Sequence, residues 1–203
     1  MTKKIIVYDF DKTLTINDTL FGFFRHAGKK NLKYYAKLPI YMGWMVLSKF
    51  GLLSNTRLKE RGVALFLKGL SKESIQNFAK SYKKKILFNE IYYKLNFDKN
   101  TRYFIISASF EDYLKPLFPE EVCVIGSKLT YLKMAVNALE SNCYKEVKKE
   151  VLKELGINKI DLFYTDSYSD LALAQIAKKI IIVDKNRQIE CNSINEFKRH
   201  FGR

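Results

Sequence analysis

Asp9 and Asp11 close the first apolar run of the chain, Ile5-Ile6-Val7-Tyr8, in the string Asp9-Phe10-Asp11-Lys12-Thr13-Leu14-Thr15. Two carboxylates two residues apart share a face on a straight strand, and where the chain turns a loop can aim both at one pocket. Like charges that close repel unless a cation or a shared proton relieves them. A Mg²⁺ ion, which takes hard oxygen ligands, would do so. One carboxylate could then attack phosphorus while the other handles protons. The competing reading is a solvated turn with two ordinary aspartates.

Three more places carry chemistry-capable residues. In Ile105-Ile106-Ser107-Ala108-Ser109 a strand ends in small hydroxyls, and Ser107 with the N–H of Ala108 could hold a phosphate oxygen. A serine closing a strand into a helix as its cap accounts for the same residues. Lys145 opens a helical pattern and could neutralise both a carboxylate nucleophile and a transferring phosphoryl group. Lys148 and Lys149 lie close by, and such a run also suits a wet helix face. In Thr165-Asp166-Ser167-Tyr168-Ser169-Asp170 a second acidic pair follows an apolar run, suited to metal ligation or to capping the helix that begins at Leu171. An acidic pair, a hydroxyl, a lysine and a second acidic pair thus follow one another, mostly at strand ends.

The elements that must position them are short apolar runs at Ile5–Tyr8, Tyr103–Ile106, Val122–Ile125, Leu162–Tyr164 and Ile180–Val183, read as buried parallel strands. Helical patterns at Phe110–Leu117, Tyr144–Leu155 and Asp170–Ala177 separate the later ones. The alternation predicts an α/β fold, a Rossmann-like open parallel sheet with helices on both faces. Residues 17–98 break the rhythm with lysine- and aromatic-rich helical spacing and no convincing strand. They are expected to form a helical cap over a core of residues 1–16 and 99–203. Ligands of such sheets bind beyond the carboxyl ends of the strands, where a cap would lie.

Composition sets the frame. A hydrophobic fraction of 47% with 14% aromatics over 203 residues excludes a disordered chain and supports a real core. Cys123, Cys143 and Cys191 are odd in number and far apart, as in a reducing compartment. The apolar run behind the N-terminal Met-Thr-Lys-Lys stops at Asp9, too soon for a signal-peptide core, so a cytoplasmic protein is expected. A formal charge of +15 concentrates anions such as phosphorylated metabolites, anionic lipid headgroups or nucleic acid, and equally serves solubility.

In the order of these strings the chain resembles the haloacid dehalogenase-like superfamily, specifically its phosphoserine-phosphatase-like branch. DFDKTLT matches the first motif of that family and SAS the second; Lys145 matches the third-motif lysine, with Asn142 where a Gly is common; DSYSD matches the fourth. The resemblance implies that Asp9 attacks a phosphate ester and becomes an aspartyl-phosphate. Asp11 would protonate the leaving alcohol and then activate water. It further implies Mg²⁺ held by the Asp9 side chain, the Asp11 carbonyl and Asp166, with Asp170 as supporting carboxylate and Ser107 as phosphate ligand. A substrate-binding Glu of phosphoserine phosphatases corresponds here to Asp18.

The substrate is less constrained. Phe23, Phe24 and a cationic stretch with Arg25, Lys29, Lys30, Lys33 and Lys37 precede the apolar, Trp-bearing segment Leu38–Leu47. That segment would suit either the core of the cap or a helix lying on an anionic membrane. The pattern is similar to phosphatidylglycerophosphatase C-type members of the branch. The expected partner is therefore a phosphorylated lipid or small metabolite, with peripheral contact to the inner face of a membrane in the lipid case. A basic module binding membrane or nucleic acid without catalysis is the third reading. It gains nothing from converging aspartates, and no nucleic-acid motif accompanies the lysines.

Overall fold

The computed structural model describes residues 3–28, 34–185 and 187–202. In chain order its strands are β1 (Lys4–Tyr8), β2 (Thr101–Phe110), β3 (Cys123–Leu132), β4 (Ala135–Ser141), β5 (Leu162–Thr165), β6 (Ile180–Asp184) and β7 (Arg187–Cys191). They lie in the order β4-β3-β2-β1-β5-β6-β7, with β3-β2-β1-β5-β6 parallel and the two outer pairs antiparallel. The expected α/β fold is present. Each parallel strand contains one of the continuous apolar runs, because a sheet covered on both faces offers no solvated side for polar residues. The outer hairpin strands β4 and β7 add to that reading. In β3–β4 the turn rests on Lys133 and Met134, both with positive φ (48° and 65°), a conformation usually signalled by Asn-Gly.

Alternation along β1 divides the interior. Ile6 and Tyr8 join a core on one face with Phe10, Phe23, Phe24, Tyr41, Phe66, Phe110 and Tyr113. Val7 joins the core on the other face with Phe104, Ile106, Leu152, Phe163 and Leu173. The second face is covered by α7 (Glu146–Glu154), α8 (Leu171–Ala174) and α9 (Ile194–His200), which follow in the chain after the helices of the long β1–β2 connection and α6 (Glu111–Leu114).

That connection is helical: α1 (Leu20–Gly28), α2 (Tyr34–Lys49), α3 (Asn55–Gly62) continuing into a π-helical turn at Val63–Leu67, α4 (Lys72–Lys83) and α5 (Glu90–Tyr93). Ser54 and Ser71 cap α3 and α4 by accepting the N–H groups of Arg57 and Ser74. The insertion leaves and re-enters the sheet through adjoining segments: the N–H of Ile16 donates to Leu87 O at 2.8 Å and that of Asn89 to Leu14 O at 3.0 Å. Its side chains share the first core, where Phe23 stacks on Tyr113 at 4.3 Å. It also reaches the β3–β4 hairpin, with Gly69 N–H donating to Val136 O and Val136 N–H to Leu70 O.

Candidate active site

The sheet brings the motif residues together at the carboxyl ends of β1, β2 and β5. β1 lies between β2 and β5, where the crossovers change side, the position at which open α/β sheets leave a crevice. The backbone N–H of Asp9 donates to Tyr164 O at 2.9 Å, fixing the end of β1 against β5. The chain then turns tightly. The N–H of Leu14 donates to Phe10 O at 2.9 Å, and Lys12 takes a left-handed φ of 60° while its N–H donates to Thr15 Oγ1 at 3.0 Å. Phe10 is fully buried in this turn, which sets its two flanking aspartates toward the site.

Asp9 is buried and ion-paired. Lys148 Nζ lies 2.7 Å from Asp9 Oδ1 and 2.7 Å from Asp170 Oδ1. Burial holds the Asp9 carboxyl well above the usual carboxylate range; the field of Lys148 opposes this, and Asp170 and Asp166 add to it. Burial works against the charge on Lys148, but Asp170 and Asp9 together overcome it and hold the ammonium above the ordinary lysine value. Asp170 commits its other oxygen to Thr165, whose hydroxyl donates at 2.7 Å. Asp166 is half-buried, its carboxyl raised to about 6 by burial first and by Asp170 second.

Asp11 has a different environment. Thr19 donates to its Oδ1 through both N–H and hydroxyl at 2.7 Å, and Ser109 Oγ donates to its Oδ2 at 2.7 Å. Tyr113 in turn donates to Thr19 Oγ1 at 2.9 Å. Burial, then Asp18, raises the Asp11 carboxyl to about 6, against the lowering effect of these donors. Ser109 reaches Asp11 because the β2–β3 ladder loses register between Ile106 and Phe110. Such an irregularity re-aims side chains: Ser107 and Ser109 are both buried, with Ser107 Oγ accepting the Ser109 N–H at 3.0 Å. Gly126 permits the close approach, since a Cβ there would stand 2.6 Å from Ser109 O and from Glu111 N.

Lys145 is a correction. Its side chain is exposed beside the Tyr144 ring, and its backbone, at φ 54°, lies just outside α7. Lys148 occupies the place expected of it because α7 turns Lys148 and Leu152, one helical turn apart, toward the sheet. That i, i+4 pairing was the available signal. The predicted helix over 144–155 is shortened to the same effect.

Sequence reasoning also missed Lys59. It is buried on α3, and its ammonium donates to Ala108 O, Asn142 Oδ1 and, at 3.2 Å, Ser127 Oγ. Burial lowers its pKa to about 8. Asn142, at the position where a Gly is common, also donates to Thr56 Oγ1 at 2.9 Å, so it ties α3 to the sheet. Asp18 is exposed and accepts the Leu20 N–H at 3.1 Å, in the turn just ahead of α1. It also lines a cleft of about 350 Å³ with Leu20, Phe21, Tyr41, Met45, Asn55, Leu58 and Lys59. Among the described residues, no three His, Cys, Asp or Glu side chains form a metal-holding group by themselves. Asp9 and Asp166 nevertheless supply hard oxygen donors, and Asp9, Asp166 and Asp170 leave an excess of negative charge over Lys148. That donor set suits a divalent cation completed by backbone carbonyl and water. Asp170, with both oxygens on protein donors, suits a supporting place.

The model of the haloacid dehalogenase-like hydrolases matches residues 6–175. The chain belongs to that family, and is built as a hydrolase. No curated protein sequence matches it. Among solved structures, a protein of unknown function from Bordetella pertussis Tohama I superposes with a TM-score of 0.73 at 15% identity, over 100% of this chain and 97% of that one. A phosphoserine phosphohydrolase-like protein from Francisella tularensis gives 0.60 at 20% identity, covering 88% and 86%. A phospho-aspartyl intermediate analogue of phosphoserine phosphatase gives 0.56 at 19% identity, covering 90% and 87%. At these identities the likeness is one of fold.

Proposed function

We propose that the protein is a Mg²⁺-dependent phosphomonoester hydrolase working through an aspartyl-phosphate on Asp9. The observation that carries this reading is the separation of partners. Asp9 is paired with a buried ammonium, while Asp11 is held by hydroxyl and amide donors. Two neighbouring carboxylates in different environments suit a nucleophile and an acid/base.

In the proposed first step the Asp9 oxygen not engaged by Lys148 attacks phosphorus. The bond from phosphorus to the ester oxygen breaks, and Asp11 gives its proton to the departing alkoxide. In the second step Asp11 takes a proton from water as the water oxygen attacks the same phosphorus, releasing inorganic phosphate and restoring Asp9. Lys148 would offset charge on Asp9 and on the phosphoryl oxygens, and Ser107 with the Ala108 N–H would hold a phosphoryl oxygen. Mg²⁺ bound by Asp9, Asp166 and the Asp11 carbonyl would supply Lewis-acid stabilisation of the phosphoryl charge. The phospho-aspartyl form named for a phosphoserine phosphatase of the same fold supports the covalent route.

The insertion is proposed as a cap, because Thr19 donates to Asp11, Asp18 lies close enough to raise the Asp11 carboxyl, and Lys59 donates to Ala108 O beside Ser107 and Ser109. Leu20, Phe21, Tyr41, Met45 and Leu58 give the cleft apolar walls, which favours an ester with an apolar body, such as phosphatidylglycerophosphate. Asp18 at the same cleft favours an amine, as in phosphoserine, and keeps a soluble substrate as the second reading.

The test is hydrolysis of an aryl phosphate and of both named esters, with Mg²⁺ and with EDTA, by the wild type and by Asp9→Asn. Turnover is expected to require Mg²⁺ and to vanish in Asp9→Asn while the circular dichroism spectrum is unchanged. Appreciable turnover by the folded Asp9→Asn protein would sink the mechanism.

A further inference from the structure

An ordinary surface helix keeps its charged residues outside and its apolar stripe inside. α2 is apolar on both sides: Leu38, Trp44 and Met45 pack against the core that holds Tyr34 and Tyr41, and its outer side is apolar as well. Its inward residues include Tyr34, Lys37 and Tyr41, and Lys37 Nζ is drawn back to Leu65 O at 2.8 Å. Between Tyr35 and Leu47 its exposed residues are Tyr35, Ala36, Pro39, Ile40, Met42, Gly43, Val46 and Leu47, none of them charged, and the exposed Lys49 closes the helix. The turn beyond continues the surface with Phe50 and Leu52, which are 74% and 75% exposed. Trp44, the aromatic that the sequence singles out, is not part of this face: it is half-buried, with the Arg61 guanidinium 4.4 Å from its ring centre.

Contiguous apolar surface of this kind marks an interaction site. Its surroundings select the partner. Glu60 is the only acidic residue between Thr19 and Lys72, and Lys49, Arg57, Arg61 and Lys68 are all exposed near the patch in sequence. A second copy of a chain with formal charge +15 would meet it with like charge, whereas an anionic bilayer would meet it with opposite charge. No helix among the described residues is long and apolar enough to cross a membrane. At 16 residues α2 is about 24 Å long, against a hydrocarbon core of about 30 Å. It can lie in the interface but not traverse it.

We propose that the outward face of α2, continued by Phe50 and Leu52, is a docking surface for an anionic lipid bilayer. The opposite side of the same helix contributes Tyr41 and Met45 to the cleft beside Asp18 and Lys59. Docking would therefore hold that cleft one helix diameter, about 10 Å, from the lipid surface. The proposal concerns adsorption, and it stands whether or not the phosphatase chemistry does.

The experiment is flotation of the full chain with vesicles of phosphatidylcholine alone and of phosphatidylcholine with 30% phosphatidylglycerol, at low and high salt. Three proteins are compared: wild type, the Ile40→Ser/Met42→Ser/Val46→Ser variant, whose positions are exposed, and Asp9→Asn. Wild type and Asp9→Asn are expected to float with the anionic vesicles. The triple variant should retain its circular dichroism and thermal unfolding and lose at least tenfold in binding, and high salt should release the wild type. Equal flotation of wild type and triple variant overturns the proposal, as does absence of flotation at low salt or equal binding to neutral vesicles. So does a wild-type dimer in light scattering that becomes monomeric in the triple variant, which would assign the face to a second copy. A triple variant that fails to fold is replaced by Phe50→Ser/Leu52→Ser in the exposed turn, read by the same criteria.

Discussion

Replacing Lys148 with methionine removes one ammonium and leaves two carboxylates, Asp9 and Asp170, buried without their cation. The side chains involved are 4%, 9% and 1% exposed, so water screens the loss little. Removing one partner of a buried ion pair costs about 3–5 kcal/mol, and the stranded second carboxylate places this case toward the upper end. Because the Lys148 pKa is raised in the folded chain, its contribution is fully present below the unfolded lysine value of about 10 and is lost only above it. The ammonium itself therefore adds no pH dependence between about pH 6 and pH 9. The assay is urea unfolding followed by circular dichroism. Lys145→Met serves as the control, because an exposed substitution there is expected to stay within about 0.5 kcal/mol of the wild type. Adding Asp170→Asn to Lys148→Met should recover about 1–3 kcal/mol, because one of the stranded charges is then gone. Where the variant stays folded, turnover should fall by about 10²–10³-fold from the lost charge stabilisation, with Lys145→Met unaffected. A Lys148→Met protein within about 1 kcal/mol of wild type, or a Lys145→Met protein equally damaged, would refute the assignment of the buried cation.

Two further outcomes follow from the joints around the site. Lys59 has its folded pKa lowered to about 8 by burial, so the unfolded chain binds its proton more tightly and the penalty on the folded state is complete below pH 8. That penalty fades as pH rises toward about 10, and in urea unfolding the wild type should gain on Lys59→Met by on the order of 2 kcal/mol between pH 7 and pH 10; a constant difference would contradict it. Gly126→Ala would drive a Cβ to 2.6 Å from the backbone at Ser109 and Glu111. It should cost about 1–3 kcal/mol in the same assay and lower turnover by moving Ser109 off Asp11, and a neutral substitution would show that segment to be freely adjustable.

The sheet was legible because its parallel strands are buried on both faces, which forces unbroken apolar runs such as Ile5–Tyr8 and Ile180–Val183. The antiparallel edges were not. β4 begins after a Lys133–Met134 turn whose positive φ values no turn residue announces, and β7, exposed along Arg187–Glu190, carries no apolar run. The apolar segment Leu38–Leu47 left two readings open in the sequence, cap core or a helix lying on a membrane, because an apolar string does not say which of its side chains find neighbours. In the structure Leu38, Trp44 and Met45 do, and Ile40, Met42 and Val46 do not.

The site divides along the same line. Aspartates at strand ends declare themselves by position, because a strand's carboxyl end in such a sheet has only one kind of place to point. The groups that tune them are fixed by distant contacts. Thr19 meets Asp11 across 8 residues, Ser109 across 98, and Lys148 meets Asp9 across 139. Lys59 sits among Arg57, Glu60 and Arg61 and has the local pattern of a wet helix face, yet α3 turns it alone among them into the interior. A buried lysine survives there only because Ala108, Ser127 and Asn142 receive its protons, and two of these lie beyond β2 in the chain. The same contact joins the insertion to the irregular end of β2 that presents Ser107 and Ser109. A displacement of α3 would therefore strain the segment that presents Ser109 to Asp11, which is how the proposed cap and the proposed acid/base would be coupled.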